Sequence, residues 1–299
     1  MRFNKLDLNL LYALDALLSE RSITRAAARI NLSQPATSGV LARLREYFND
    51  ELLIQVGRTM ASTPLALSLQ QPVRDILLRI QSTIAVQPDF SPRESKRHFR
   101  VMTSDYPISV VISDLSRHLL QVAPGITMQL VMPGVDMAES LDRGEIDLLI
   151  MPKQYMAPRH PVTALFDETF SCVICNGNAL VGDSITVEQY SSLGHVTTVF
   201  GPQEHPSLEA AFLKTNAITR RSEIITNNFN TLPLLVLGTD RIATMHSRLA
   251  KMFARYLPLR ILPLPVEIPA VTWCMQWPSH LGGDQAHGWF RQQVQAFAA

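Results

Sequence analysis

Leu10, Leu11, Leu14, Leu17 and Leu18 recur at the three- and four-residue spacing of a helix and predict a first helix with one strongly apolar side. From Ser22 to Arg45 the pattern gives two shorter helices parted by a tight turn. Ser22 and Ser33 stand where each N-cap belongs, able to accept a bond from a first-turn backbone N–H. Pro35 falls in the first turn of the second helix, where its missing N–H costs little. Ala26, Ala27 and Ala28 let another helix cross close by, and Ile30 and Leu32 predict a turn buried against a neighbour. This is a helix-turn-helix pattern. On its second helix Ala36, Thr37, Val40, Leu41, Leu44 and Phe48 fall on the inward side. Gln34, Pro35, Ser38, Ala42 and Arg45 fall on the other, flanked by Gly39 and Arg43. That outer side is short, polar and basic, with the donors and acceptors that base edges and phosphates use. An ordinary helical hairpin with a solvated face fits the pattern equally well.

Alternation of apolar and polar residues from Tyr47 to Ser62 surrounds Gly57. Leu52-Leu53-Ile54 and Gly57-Arg58-Thr59 predict a short β-hairpin with Arg58 at its tip. Thr63 and Pro64 then open a long helix. Its stripe of Leu69, Val73, Ile76, Leu77, Ile80 and Ile84 exceeds what a small domain covers, so a second copy of the helix is expected against it, with a kink at Pro72. The prolines and charges from Val86 to Lys96 mark a boundary.

Beyond Arg97 strands and helices alternate. Strands are expected at Phe99–Met102, Ile126–Met132 and Ile146–Met151, and helices at Ile108–Val122 and Asp136–Arg143. Further strands surround Cys172, Val196 and Ile224 and span Ile242–Met245. Helices surround Leu208, Leu234 and Leu249, and a last one spans Asp284–Phe297. The predicted class is α/β, with largely parallel sheets covered by helices.

With 46% hydrophobic and 18% charged residues, 299 residues suffice for two or three domains with their own cores. A net charge of +1 excludes a generally basic nucleic-acid coat but not a local basic surface. The opening Met1-Arg2-Phe3-Asn4-Lys5 lacks the apolar core of a signal peptide, and no run reaches membrane-spanning length, so a cytoplasmic location is expected. Cys172 and Cys175 have C-x-x-C spacing but lie in a predicted strand, where residues three apart face opposite ways; no metal site is expected. The familiar nucleotide, zinc-protease and nucleophile-elbow motifs are missing, which argues against an enzyme and against a cofactor.

The runs Asp7–Leu11, Ser22–Ala27, Leu32–Ser38, Leu41–Arg45 and Thr63-Pro64 resemble the N-terminal domain of the LysR-type transcriptional regulators. Phe48-Asn49-Asp50-Glu51-Leu52, with the opening Met1-Arg2-Phe3, is similar to their nodulation-gene and aromatic-catabolism branch. The chain departs at Gln55, where the wing often carries Arg, and at Gly39, where the helix often carries a basic residue. The resemblance implies a winged helix-turn-helix over 1–63 and a linker and dimerisation helix over 64–90. A two-lobed effector domain like periplasmic binding proteins follows over 91–299. Its lobe I is 91–161 with 269–299 and its lobe II 162–268, crossing near Lys153–Pro161 and Val266–Trp273. Implied partners are double-stranded promoter DNA with dyad symmetry, a small-molecule effector, a second copy (as dimer or dimer of dimers) and RNA polymerase. The DNA-binding set is Ser33, Gln34, Pro35, Thr37, Ser38, Arg43, Arg45 and Arg58. Within it Gln34 and Ser38 meet bases, the arginines meet phosphates or groove edges, and Thr37 faces inward or reaches backbone.

In open α/β sheets ligands bind beyond the carboxyl ends of strands. That selects the turns at Thr103–Tyr106, Pro133–Val135, Met151-Pro152, Thr197–Gly201, Asn227–Phe229 and Thr244–His246. Within them Ser104, Asp105, Tyr106, Met151, Thr198, Phe200, Asn228, Phe229, Thr244 and His246 are the candidate effector contacts. Polar groups among aromatic walls suit a flat, partly hydroxylated compound. Asp105 would compete with a ligand carboxylate, so a neutral phenol or related aromatic is expected. A small organic acid, or no ligand, is the alternative. A pure solute-binding protein shares the C-terminal architecture but not the helix-turn-helix.

Overall fold

Helix α1 (Leu8–Glu20) begins at Asp7, whose carboxylate accepts from the Asn9 N–H at 2.9 Å. The computed structural model describes residues 7–57, 59–84, 90–200 and 205–298, in two compact units, the first running to residue 88 and taking in Asp142–Gly144, the second holding the rest. In the first unit α2 (Ile23–Arg29) and α3 (Gln34–Phe48) start as expected. Ser22 Oγ accepts from Arg25 N–H and Ser33 Oγ from Ala36 N–H. Leu14, Leu17 and Leu18 of α1 pack with Leu41 and Leu44 of α3, all essentially removed from water.

Two expectations on this motif are corrected. Leu32 is 45% exposed while Ile30 is half-buried; Asn31, in a left-handed conformation at φ 56°, separates them and sends the two side chains different ways. Ala36 is exposed, because it lies about 100° around α3 from the buried Thr37.

The hairpin of β1 (Leu53–Val56) and β2 (Thr59–Ser62) follows, with Gly57 at φ 62° in its turn. Asp50 organises its base by accepting from Leu52 N–H at 2.7 Å and from the Thr63 hydroxyl at 2.6 Å. Thr63 Oγ1 accepts in turn from Ala66 N–H and caps α4 (Pro64–Ile84), which continues through Pro72. Nothing in the sequence pattern pointed to the ion pairs beneath α4. Arg74, 6% exposed, donates to Asp15 Oδ1 at 2.9 Å, and Arg29 donates to Asp15 Oδ2 at 3.0 Å.

The second unit opens with β3 (His98–Thr103), the short α5 (Asp105–Pro107) and α6 (Ser113–Val122), joined by a π-helical turn at Ile108–Ile112. Then come β4 (Thr127–Val131), α7 (Met137–Asp142), β5 (Leu148–Pro152), β6 (Val162–Glu168), β7 (Phe170–Cys175), α8 (Val187–Ser192) and β8 (Gly194–Phe200). The chain continues through β9 (His205–Pro206), α9 (Leu208–Thr215), β10 (Arg221–Thr226), α10 (Leu232–Val236), β11 (Ile242–His246) and α11 (Ser247–Phe253). It closes with β12 (Leu259–Leu262), β13 (Val271–Gln276) and α12 (Gln285–Ala298). One sheet has the order β4-β3-β5-β13-β6 and the other β10-β8-β11-β7-β12, with β9 beside β8.

The sheets are mixed rather than largely parallel. β3 runs parallel to β4 and β5, and β8 to β10 and β11. β13 and β7, which enter after the chain has passed from one sheet to the other, run antiparallel to both neighbours. Such strands need no helical crossover, so helix alternation in the sequence does not register them. The first crossing also shifts. Val162–Glu168, assigned by sequence to lobe II, is the edge strand of the first sheet, and Thr169 alone separates it from β7. The second crossing, between Leu262 and Val271, overlaps the expected segment. Helix α12 returns to the first sheet, where Phe290 stacks on Phe99 of β3 at 4.1 Å between ring centres.

Cys172 and Cys175 are buried free thiols on β7, and burial pushes the Cys172 thiol up to about 12. Among the described residues no cluster suits a metal ion, and no helix is long and apolar enough to cross a membrane.

Candidate functional site

The outer face of α3 presents Gln34, Pro35, Ser38, Gly39, Ala42 and Arg43, all exposed. Its capping residue Ser33 spends its hydroxyl on the helix start. Within the expected DNA-binding set Thr37 faces inward onto backbone, as expected, and Arg45 is elsewhere. Thr37 is fully buried and donates to Ser33 O at 3.1 Å. Arg45 turns back toward the hairpin, donating to Glu51 O at 2.8 Å and Leu53 O at 2.7 Å and pairing with the Glu51 carboxylate. It braces the wing against α3, a role hidden in the sequence because the acceptors are backbone carbonyls six and eight residues on. Arg58 lies outside the described residues.

The apolar stripe of α4 divides into two rows of residues four apart, Leu69-Val73-Leu77 and Ile76-Ile80-Ile84. Val73 is buried and Leu69 and Leu77 pack against the unit's own core, so these three are corrected from interface to core. Ile76 and Ile84 remain 48% and 80% exposed, and with Ile80, Arg79 and Thr83 they line a shallow groove. At 1.5 Å rise per residue, 21 residues span about 30 Å, and the helix outruns the small core beneath it.

A second constellation lies in the C-terminal unit, where the turn after β3 meets the end of β11. Tyr106 and His246 stack with ring centres 3.9 Å apart and planes 9° from parallel. Around them stand Trp273, 5.0 Å from Tyr106, and Phe229, 4.6 Å from His246, with Phe200 5.0 Å beyond it. The Tyr106 hydroxyl donates to the Glu168 carboxylate. Asp105 Oδ2 accepts from Asn230 N–H at 2.8 Å, and Asn230 Nδ2 donates back to Asp105 O at 3.3 Å. The structure thus brings together Ser104, Asp105, Tyr106, Phe229 and His246 with Phe200, and Thr198 is buried on the same strand as Phe200.

Three candidates do not join this cluster. Met151 packs with Met102, Leu141, Ile146 and Leu149. Strand alternation puts it on the face of β5 opposite Leu148 and Ile150, which belong to the large core. Thr244 bonds Tyr190 at 2.7 Å within the second lobe's own core. Asn228 Oδ1 caps the turn Phe229–Thr231 by accepting from Thr231 N–H. Glu168, Trp273, Phe166 and Asn230 were missed. Glu168, an acidic residue ending an apolar strand, and Asn230, beside the selected Asn228, carried the available signals.

The cluster is electrically unusual. Ser104 Oγ, Asp105 Oδ1, His246 Nδ1 and Trp273 Nε1 are buried with no hydrogen-bond partner among the described residues. Burial raises the Asp105 and Glu168 carboxyls above their ordinary range, against the bonds they accept. Burial likewise pushes His246 down to about 3, which keeps its ring neutral. Arg248 stands 4.0 Å from the Glu168 carboxylate, lies over the Phe166 ring at 4.3 Å and donates to Ala298 O at 3.0 Å.

His287, fully buried behind β3, bonds the Asp147 carbonyl through Nε2 at 2.8 Å, and burial pushes it down to about 4 from 6.5. The folded chain keeps this ring neutral while the unfolded chain protonates it, so its contribution is complete above pH 6.5 and is lost as pH falls toward 4. His287→Gln keeps a donor but cannot titrate. Urea unfolding should then show a stability slope shallower by up to about 1.4 kcal/mol per pH unit across this window. The carboxyl contributions cancel in the comparison, and parallel curves for the two proteins would refute the assignment.

Residues 8–67 match the family described as bacterial regulatory helix-turn-helix protein, lysR family, and residues 92–299 match LysR substrate binding domain. Nodulation protein D of Bradyrhizobium sp. (strain ANU 289) is 44% identical over 292 residues, covering 98% of this chain and 86% of that protein. Nodulation protein D 1 of Bradyrhizobium elkanii is 44% identical over 98% of this chain and 93% of its own. A probable transcriptional regulator from Pseudomonas aeruginosa has a similar solved structure, with TM-score 0.65 and 26% identity, covering 98% of this chain and 97% of that one. Full-length CbnR, solved with its target DNA, shares the fold at TM-score 0.52 and 16% identity over 98% of this chain and 100% of that one.

Proposed function

This chain belongs to the LysR family of DNA-binding transcriptional regulators, and from that premise we propose that a neutral phenolic or related aromatic effector controls its hold on a dyad-symmetric promoter site. It is a regulator and not an enzyme. It acts in the cytoplasm as a dimer or dimer of dimers, its α4 helices paired through Ile76, Ile80 and Ile84, and it answers to RNA polymerase at the promoter. Gln34 and Ser38 meet base edges, and Arg43 and Arg58 meet phosphates. The exposure of the α3 face supports this, as does the likeness in fold to a regulator solved on DNA. Gln34→Ala should shift sequence preference at one or two positions, a loss of about 1–3 kcal/mol per bidentate contact, measured by site selection.

The observation that carries the effector class is the set of four buried unpaired polar atoms around the Tyr106–His246 stack. Ligand hydroxyls can donate to Asp105 Oδ1 or accept from Trp273 Nε1–H, and an aromatic ring matches the surrounding faces. A carboxylate would add a third acid beside Asp105 and Glu168, with Arg248 already facing Glu168 and bonded to Ala298 O. Binding that favours one arrangement of the two sheets shifts the population by its differential affinity. Calorimetric titration with phenols, benzoates and aliphatic organic acids tests the class. Heat of binding from phenols is expected; binding confined to carboxylates overturns it.

A further inference from the structure

Asn230 follows β10 of the second sheet, whereas Asp105 and Ser109 follow β3 of the first, yet this one residue ties the two together. Its N–H donates to Asp105 Oδ2 at 2.8 Å and its side-chain Nδ2 donates to Asp105 O at 3.3 Å. Its Oδ1 accepts from the Ser109 hydroxyl at 2.9 Å. Ser109 belongs to the π-helical turn Ile108–Ile112, an irregularity frequent at functional positions. Asn230 and Ser109 are half-buried. Ser104, Asp105, His246 and Trp273, which carry the unpartnered polar atoms, are at most 6% exposed. A ligand therefore reaches those atoms only when the two sheets part.

We propose that Asn230 is a positioning residue that latches the effector site, an inference that rests on reading the Tyr106–His246 cluster as that site. Its clasp on Asp105 and Ser109 holds the two sheets in register, and its release admits and discharges the effector. While latched, Asn230 occupies one oxygen of the Asp105 carboxylate and leaves Oδ1 to the ligand. Water competes for bonds at a half-buried edge, so the clasp opens well before the packed core does. Asn230→Ala cuts the two side-chain bonds and keeps the backbone one. Ser109→Ala cuts one of the same bonds from the opposite sheet.

The test uses the full-length chain and two readouts. The first needs no ligand, because Asp105 Oδ2 protects the Asn230 amide from hydrogen exchange. Ser109→Ala should speed exchange there by about two- to tenfold, the effect of one lost hydrogen bond. Amides inside β3 and β8 should exchange as in the parent, which separates unlatching from general loosening. The second readout is the fluorine NMR line shape of 4-fluorophenol, which gives both rate constants of binding. Asn230→Ala should raise association and dissociation together, by about tenfold for two lost bonds. The double variant should be no faster than Asn230→Ala alone, since the two changes share a bond. Unchanged exchange at Asn230 in Ser109→Ala overturns the latch. Faster dissociation beside unchanged association also overturns it, and makes Asn230 a ligand contact instead. If phenols fail to bind the parent while the exchange result holds, the effector class falls and the latch stands.

Discussion

Asp15→Ala should destabilise the N-terminal unit by about 3–5 kcal/mol, the range for removing one member of a buried ion pair. Asp15 is 5% exposed and Arg74 6%, and the carboxylate is held between Arg74 at 2.9 Å and Arg29 at 3.0 Å. Its loss strands the Arg74 guanidinium beneath α4 with, among the described residues, the Ser19 hydroxyl to bond. Arg25→Ala is the matched control. Its pair with Glu20 is exposed, at 67% and 29% of the side chains, and should be worth no more than about 1 kcal/mol. All three tryptophans, Trp273, Trp277 and Trp289, lie in the C-terminal unit, so their fluorescence follows that unit alone. In urea, hydrogen exchange of α1 and α4 amides in Asp15→Ala should open early while the tryptophan transition stays in place. Equal protection of α1 and α4 in variant and parent would show that the pair carries little stability. Because α4 also carries the uncovered Ile76 and Ile84, loosening Arg74 should weaken DNA binding even where α3 is intact.

The second large effect is expected at Trp273, 2% exposed and in ring contact with Tyr106, His246 and Phe166. Trp273→Ala opens a cavity between the sheets and should cost about 3–5 kcal/mol, read by urea unfolding with Trp277 and Trp289 as remaining reporters. Trp273→Phe keeps an aromatic ring but loses the Nε1–H, which has no partner. It should cost less than about 1.5 kcal/mol in stability, because no hydrogen bond is broken and the volume is largely kept. Its effect on phenol binding should be roughly a tenfold loss, if that N–H bonds the ligand hydroxyl. Unaltered phenol affinity in Trp273→Phe would remove Trp273 from the effector contacts, and a stability loss equal to that of Trp273→Ala would make its role one of packing geometry alone.

Legibility followed the range of the interaction. The caps at Ser22, Ser33 and Thr63 were readable because each bonds a backbone N–H three residues away. The β1–β2 hairpin was readable because alternation and Gly57 are local. Turn positions beyond strands located Ser104, Asp105, Tyr106, Phe229 and His246, since chain ends of strands are where sheets leave backbone and side chains free to meet. Met151 failed for want of a strand face: one residue decides between the two cores, and the length of β5 alone does not tell which. Arg45 failed because a surface arginine is indistinguishable in sequence from one bonded to carbonyls of the next loop.

Sequence by itself therefore determined the order of elements through α4, most of the helices and parallel strands beyond it, the helix-turn-helix with its exposed polar face, and the family. These depend on periodicity and on bonds spanning a few residues. Tertiary structure decided that Asp15 holds Arg74 across 59 positions, that Asp105 meets Asn230 across 125, and that half the α4 stripe is core while Ile76 and Ile84 are left uncovered. Those outcomes turn on which buried charge finds a partner and how far a helix outruns its core, and neither quantity is carried by neighbouring residues along the chain.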